Sequence, residues 1–73
     1  MTPDELIRCQ QLIEKAGARF CGIQESRNGP LVLFHDPETR STLCLYPHAM
    51  RTVDDVLSHM DKSRAGFFAR SRE

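Results

Sequence analysis

No run of apolar residues in this chain approaches the roughly 20 needed to span a bilayer, which argues against a transmembrane protein. No excess of either charge is present, because ten basic residues balance ten acidic ones. That removes the electrostatic footprint of a strong nucleic-acid binder. It also leaves little repulsion between copies, and near-zero net charge favours self-association. The three cysteines, Cys9, Cys21 and Cys44, include no C-x-x-C pair, so neither a disulfide framework nor a zinc site of the usual spacing is indicated. Each lies among apolar sequence neighbours, where a free thiol behaves as a small hydrophobe. The expectation is three structural thiols in a reducing, cytoplasmic setting. The opening Met1-Thr2-Pro3-Asp4-Glu5 is acidic and has no apolar h-region, unlike a secretory leader.

Motifs that carry chemistry are equally scarce. There is no G-x-S-x-G, no phosphate loop and no dinucleotide fingerprint. His35, His48 and His59 are the only histidines, and none stands at H-x-x-x-H or H-E-x-x-H spacing. Cys44 with His35 is the nearest approach to a nucleophile and base. Leu43 and Leu45 flank that thiol, whereas activation needs an electropositive, accessible setting. Asp54 and Asp55 read as a complement to a helix dipole, not as an acid and base pair. The expectation is a protein without catalytic residues, metal or cofactor.

What is present is the patterning of one small folded domain over residues 1–73. A core of this size rarely supplies more than ~3–5 kcal/mol, so such chains often lean on disulfides, metals or oligomerisation. Thr2, Pro3 and Glu5 form a helix start with a capping box, and Leu6, Cys9, Leu12, Ile13 and Ala16 fall on one helical face. Gly17 supplies the stop. Short apolar segments follow at Arg19 to Gln24, Leu31 to Phe34 and Ser41 to Tyr46. They are separated by the turn cluster Ser26-Arg27-Asn28-Gly29-Pro30 and by a hairpin turn at Asp36-Pro37-Glu38-Thr39-Arg40. Thr52 with Asp55 caps a second helix whose inward stripe is Val53, Val56, Leu57 and Met60. Gly66 is expected to end it, with Phe67 folding back on the core and 69–73 frayed; the alternative lets Phe67 and Phe68 continue the stripe, with Gly66 inside the helix at a cost of ~1 kcal/mol. The fold class is therefore α+β: helix, three-stranded antiparallel meander, helix, in two layers.

The strands carry more apolar residues than a half-covered sheet needs. Neither Leu31-Val32-Leu33-Phe34 nor Leu43-Cys44-Leu45-Tyr46 alternates apolar with polar. With Pro37 to Arg40 as a four-residue loop, Asp36 pairs with Ser41. Phe34 then faces Leu43 and Val32 faces Leu45 on one side, while Leu33 faces Cys44 and Leu31 faces Tyr46 on the other. Two helices cover one face, so Leu31, Leu33, Cys44 and Tyr46 become the expected partner-binding surface, met by a second copy or another protein. The competing arrangement places one helix on each face.

Helix-strand-strand-strand-helix, with Gly29-Pro30 before the second strand, is similar in order to the double-stranded RNA-binding domain. That resemblance implies a lysine cluster at the start of the second helix, where this chain has Thr52-Val53-Asp54-Asp55. Nucleic-acid contact, as the alternative, falls to the basic C-terminal residues Lys62, Arg64, Arg70 and Arg72. The stretches Gly22-Ile23-Gln24-Glu25, Leu31-Val32-Leu33-Phe34 and Asp36-Pro37-Glu38-Thr39-Arg40-Ser41-Thr42-Leu43 also resemble short bacterial and phage-associated proteins without a known activity. Their pattern often has Gly where this chain has Arg40, which implies a left-handed residue closing the hairpin.

Overall fold

Local signals account for each element of the computed structural model, which describes residues 2–71 and side-chain surroundings for 2–66. Thr2 leads into α1, Pro3–Lys15, and accepts the Glu5 amide on its Oγ1 at 3.2 Å. The helix ends in a Schellman arrangement, in which Gly17 donates to the Glu14 carbonyl and Ala18 to that of Ile13, both at 3.0 Å. Gly17 reaches φ +87°, a conformation open to glycine at little cost.

Strands β1 (Arg19–Ser26), β2 (Gly29–Asp36) and β3 (Ser41–Leu45) form an antiparallel sheet in the order β1-β2-β3. The strands run longer than the sequence suggests on the β1–β2 side, where only Arg27 and Asn28 remain as turn. Asp36 sits opposite Ser41, Phe34 opposite Leu43, Leu33 opposite Cys44 and Val32 opposite Leu45, the register that a four-residue loop demands. Arg40 closes that loop at φ +57°, in the left-handed region. The expected pairing of Leu31 with Tyr46 does not form. The ladder ends at Val32 and Leu45, because Pro47–Ala49 makes a 3-10 turn and Tyr46 becomes its cap.

Helix α2 spans Val53–Ser71. Its capping box is complete: Asp55 donates its amide to Thr52 Oγ1 at 3.3 Å, and its carboxylate accepts the Thr52 amide at 3.1 Å and the Arg51 amide at 3.0 Å. The expected stop at Gly66 is overturned, since the helix continues past it to Ser71. Gly66 is absent from the positive-φ glycines, so it does not act as a left-handed terminator. Glycine inside a helix costs ~1 kcal/mol relative to Ala, a penalty that continued hydrogen bonding outweighs. Of the end expected to fray, residues 69–71 continue the helix, and 72–73 lie outside the described residues. The side chain of Phe67 also lies outside them.

Both helices pack on one face of the sheet. Cys9 and Ile13 of α1 and Val56 and Met60 of α2 close around Val32 and Phe34 of β2, with Ala18 and Met50 completing the buried core. Val32 and Phe34 stand two residues apart and so share a face. Phe20, Leu43 and Leu45 add to the same side. The arrangement with one helix on each face is thereby excluded.

Candidate functional site

The face away from the helices is built by strand alternation. It presents Gly22 and Gln24 of β1, Leu31, Leu33 and His35 of β2, and Thr42 and Cys44 of β3. A single row, Gly22–Leu33–Cys44, crosses all three strands at its centre. Leu31 and Leu33 are half-buried by their neighbours within the sheet, and Cys44 is exposed. Tyr46 lies one residue past β3 at the sheet's end. Its ring stacks on His48 with centroids 5.4 Å apart, and its hydroxyl is 3.2 Å from Ser26 Oγ. Three of the four predicted contact residues thus share the face, and the fourth closes its end.

The thiols divide differently from expectation. Only Cys9 is buried. The ladder steps from Phe20 to Gly22, so Cys21 is the extra residue of a β-bulge and lies exposed, its Sγ 3.6 Å from the Arg19 carbonyl. Cys44 and His35 share the open face as diagonal neighbours, opposite Leu33 and Thr42 respectively. Diagonal positions sit roughly 7–8 Å apart, beyond hydrogen-bond reach for a thiol and imidazole without movement. Among the described residues no three His, Cys, Asp or Glu side chains gather as a metal site.

The two edges of the sheet are unlike each other. Pro30 stands opposite Glu25 and has no N–H to offer it. The ladder bonds of β1 and β2 therefore fall at Gln24–Leu31 and Ser26–Gly29, and the backbone groups of Ile23 and Glu25 point out of the sheet. By the same alternation, Cys44 and Thr42 turn their backbone outward on the β3 edge. There α2 brings His59 alongside. His59 packs edge-on to the Phe34 ring at 6.2 Å and lies beside the Cys44 backbone. Desolvation holds the His59 pKa below its ordinary value, Lys62 adds to that, and the Cys44 backbone partly opposes both. Beside the β1 edge lies a groove of about 520 Å³ lined by Thr2, Pro3, Leu6, Ile23, Glu25 and Pro30. Sequence reading missed it, since Ile23 registers only as one more apolar strand residue until its edge position is known.

The strongest polar constellation joins the β2–β3 hairpin to α2. Asp36 is fully buried and takes two bonds from Arg64, Nε to Oδ2 at 2.8 Å and Nη2 to Oδ1 at 3.0 Å. Its Oδ1 also accepts the Glu38 amide at 3.0 Å, and Arg64 Nη1 reaches Glu38 Oε2 at 3.0 Å. The Arg64 guanidinium is the main reason the Asp36 carboxyl titrates below its ordinary range, against the opposing pull of burial. The Thr39 hydroxyl is buried beside the carboxylate without meeting hydrogen-bond geometry, and its influence is the smallest. Arg64, expected among the basic residues of the C-terminus, is engaged with these two acids. Lys62 is exposed, the Arg70 side chain is not among those described, and Arg72 lies outside the described residues.

Comparison with known proteins adds no relative: no family model, no curated protein and no solved structure matches the chain. Among the described residues no helix is long and apolar enough to cross a membrane.

Proposed function

We propose that this protein is a small non-enzymatic interaction module that self-associates through the open face of its sheet, with Leu31, Leu33 and Cys44 at the contact and Tyr46 at its end. The observation that carries the reading is the placement of both helices on the Val32 and Phe34 side, which leaves the Gly22–Leu33–Cys44 row without a covering layer. Zero net charge lets copies approach. Glycine and cysteine at the two ends of the row leave room for a second sheet to pack over Leu33. The exposed thiols of Cys21 and Cys44 suit a reducing compartment such as the cytoplasm.

Size limits the affinity. Strands of 8, 8 and 5 residues give a face of roughly 330 Å² in plan, from ~3.3 Å per residue and ~4.8 Å between strands. A standard interface buries ~800 Å² per partner, so this dimer is a weak one. Nucleic-acid contact through Lys62, Arg64, Arg70 and Arg72 is the lesser reading, because Arg64 is already paired with Asp36 and Glu38. Sedimentation velocity over the micromolar range should show the wild type moving toward dimer, while Leu33→Asp stays monomeric. A wild type that remains a strict monomer at high micromolar concentration refutes the proposal.

A further inference from the structure

The β1 edge offers a contact of another kind. Beyond the bulge at Cys21 the strand is regular from Ile23 to Ser26. Ile23 and Glu25 turn their backbone donors and acceptors outward there, as the missing N–H of Pro30 requires. The same two residues line the groove beside α1, facing Pro3 and Leu6. Ile23 is 39% exposed, although its cross-strand partner Val32 is fully buried. Glu25 is exposed, and neither ion pair among the described residues involves it. On the opposite edge His59 of α2 lies beside the backbone of Cys44, one of the two residues that turn outward there.

We infer that this edge accepts an extended peptide as a fourth strand, one that carries an apolar residue and a basic residue two positions apart. The spacing is set by the pleat. In an added strand, the residue beside Ile23 and the residue beside Glu25 are two apart, and both point into the groove. Ile23, Leu6 and Pro3 make the first position apolar, and the Glu25 carboxylate makes the second Lys or Arg. The residue between them faces the other side, beside Gln24, and is unrestricted. Main-chain bonds to Ile23 and Glu25 supply affinity, and the two side-chain positions supply specificity, as in other strand-addition sites. The regular edge is only four residues long, from Ile23 to Ser26, so the complex is of low affinity.

The test titrates 15N-labelled protein with capped peptides Thr-Val-Thr-Arg-Thr and Thr-Arg-Thr-Val-Thr, which cover both strand directions, up to millimolar concentration. One of them should shift the Ile23 and Glu25 amides most. The version with Glu in place of Arg should bind about five-fold more weakly, the upper range for a cross-strand charge pair. Glu25→Lys, a substitution at an exposed position, should reverse that preference and keep the edge as the site. The inference is overturned by equal binding of the Arg and Glu peptides, by shifts centred on Leu33 and Cys44, or by no shift with either direction. Concentration-dependent broadening of Ile23 and Glu25 without peptide also overturns it, since a second copy would then occupy the edge.

Discussion

The two faces of this sheet come from the same three strands and meet opposite fates. Val32 and Phe34 are fully buried under both helices, while Leu31 and Leu33, one residue away on the same strand, keep only their neighbours within the sheet. The apolar content of a strand therefore says little about which face is covered. Tethering of the helices decides it. α2 is held to the first face by Val56 and Met60 and, one turn further on, by Arg64 at the hairpin tip.

The comparison breaks most visibly by deletion of matched side chains. Phe34→Ala should cost about 3–5 kcal/mol in urea unfolding, as for a large core aromatic. Leu33→Ala should cost about 1 kcal/mol or less, since it leaves no enclosed cavity. Equal losses would mean that the faces do not differ in burial. Next in size is the tether. Asp36→Ala should cost about 1.5–3 kcal/mol, the range for hydrogen bonds to a charged group. Its pH dependence has a definite sign. The folded pKa lies below the ordinary 3.8, so the pair's stabilisation is complete above that value and is lost as pH falls through the lower folded pKa. Thermal melts should show the gap between wild type and Asp36→Ala closing in acid. The smallest effect is a gain: Gly66→Ala should stabilise by up to ~1 kcal/mol, because the site is helical and has open space for a methyl group.

Much of the fold was legible because its signals are local. Thr2 and Thr52 cap their helices, Gly17 stops α1, and Asp36-Pro37 sets a loop that fixes the whole β2–β3 register. Gly66 misled for a physical reason: a glycine permits a left-handed stop but does not impose one. The 3-10 turn at Pro47 removed Tyr46 from the ladder. A proline marks where a strand ends and leaves the conformation of the next residues open. The Asp36–Arg64 pair spans 28 residues and has no signature at that distance. The candidate surfaces were half visible. Non-alternating strands announced the open face, whereas the β1 edge emerged only when strand order and the position of Pro30 were combined.

The short loops have a consequence for how the molecule assembles. Each strand pairs with its neighbour in sequence, across turns of two and four residues. Closing such loops costs little chain entropy, so the meander belongs to the class of topologies that fold quickly. The distant links, such as Arg8 to the Pro47 carbonyl across 39 residues, can form once the hairpins exist. The Val32 and Phe34 face is bare only until the helices dock. A fast meander keeps that interval brief, which protects a chain whose zero net charge does nothing to hold unfinished copies apart.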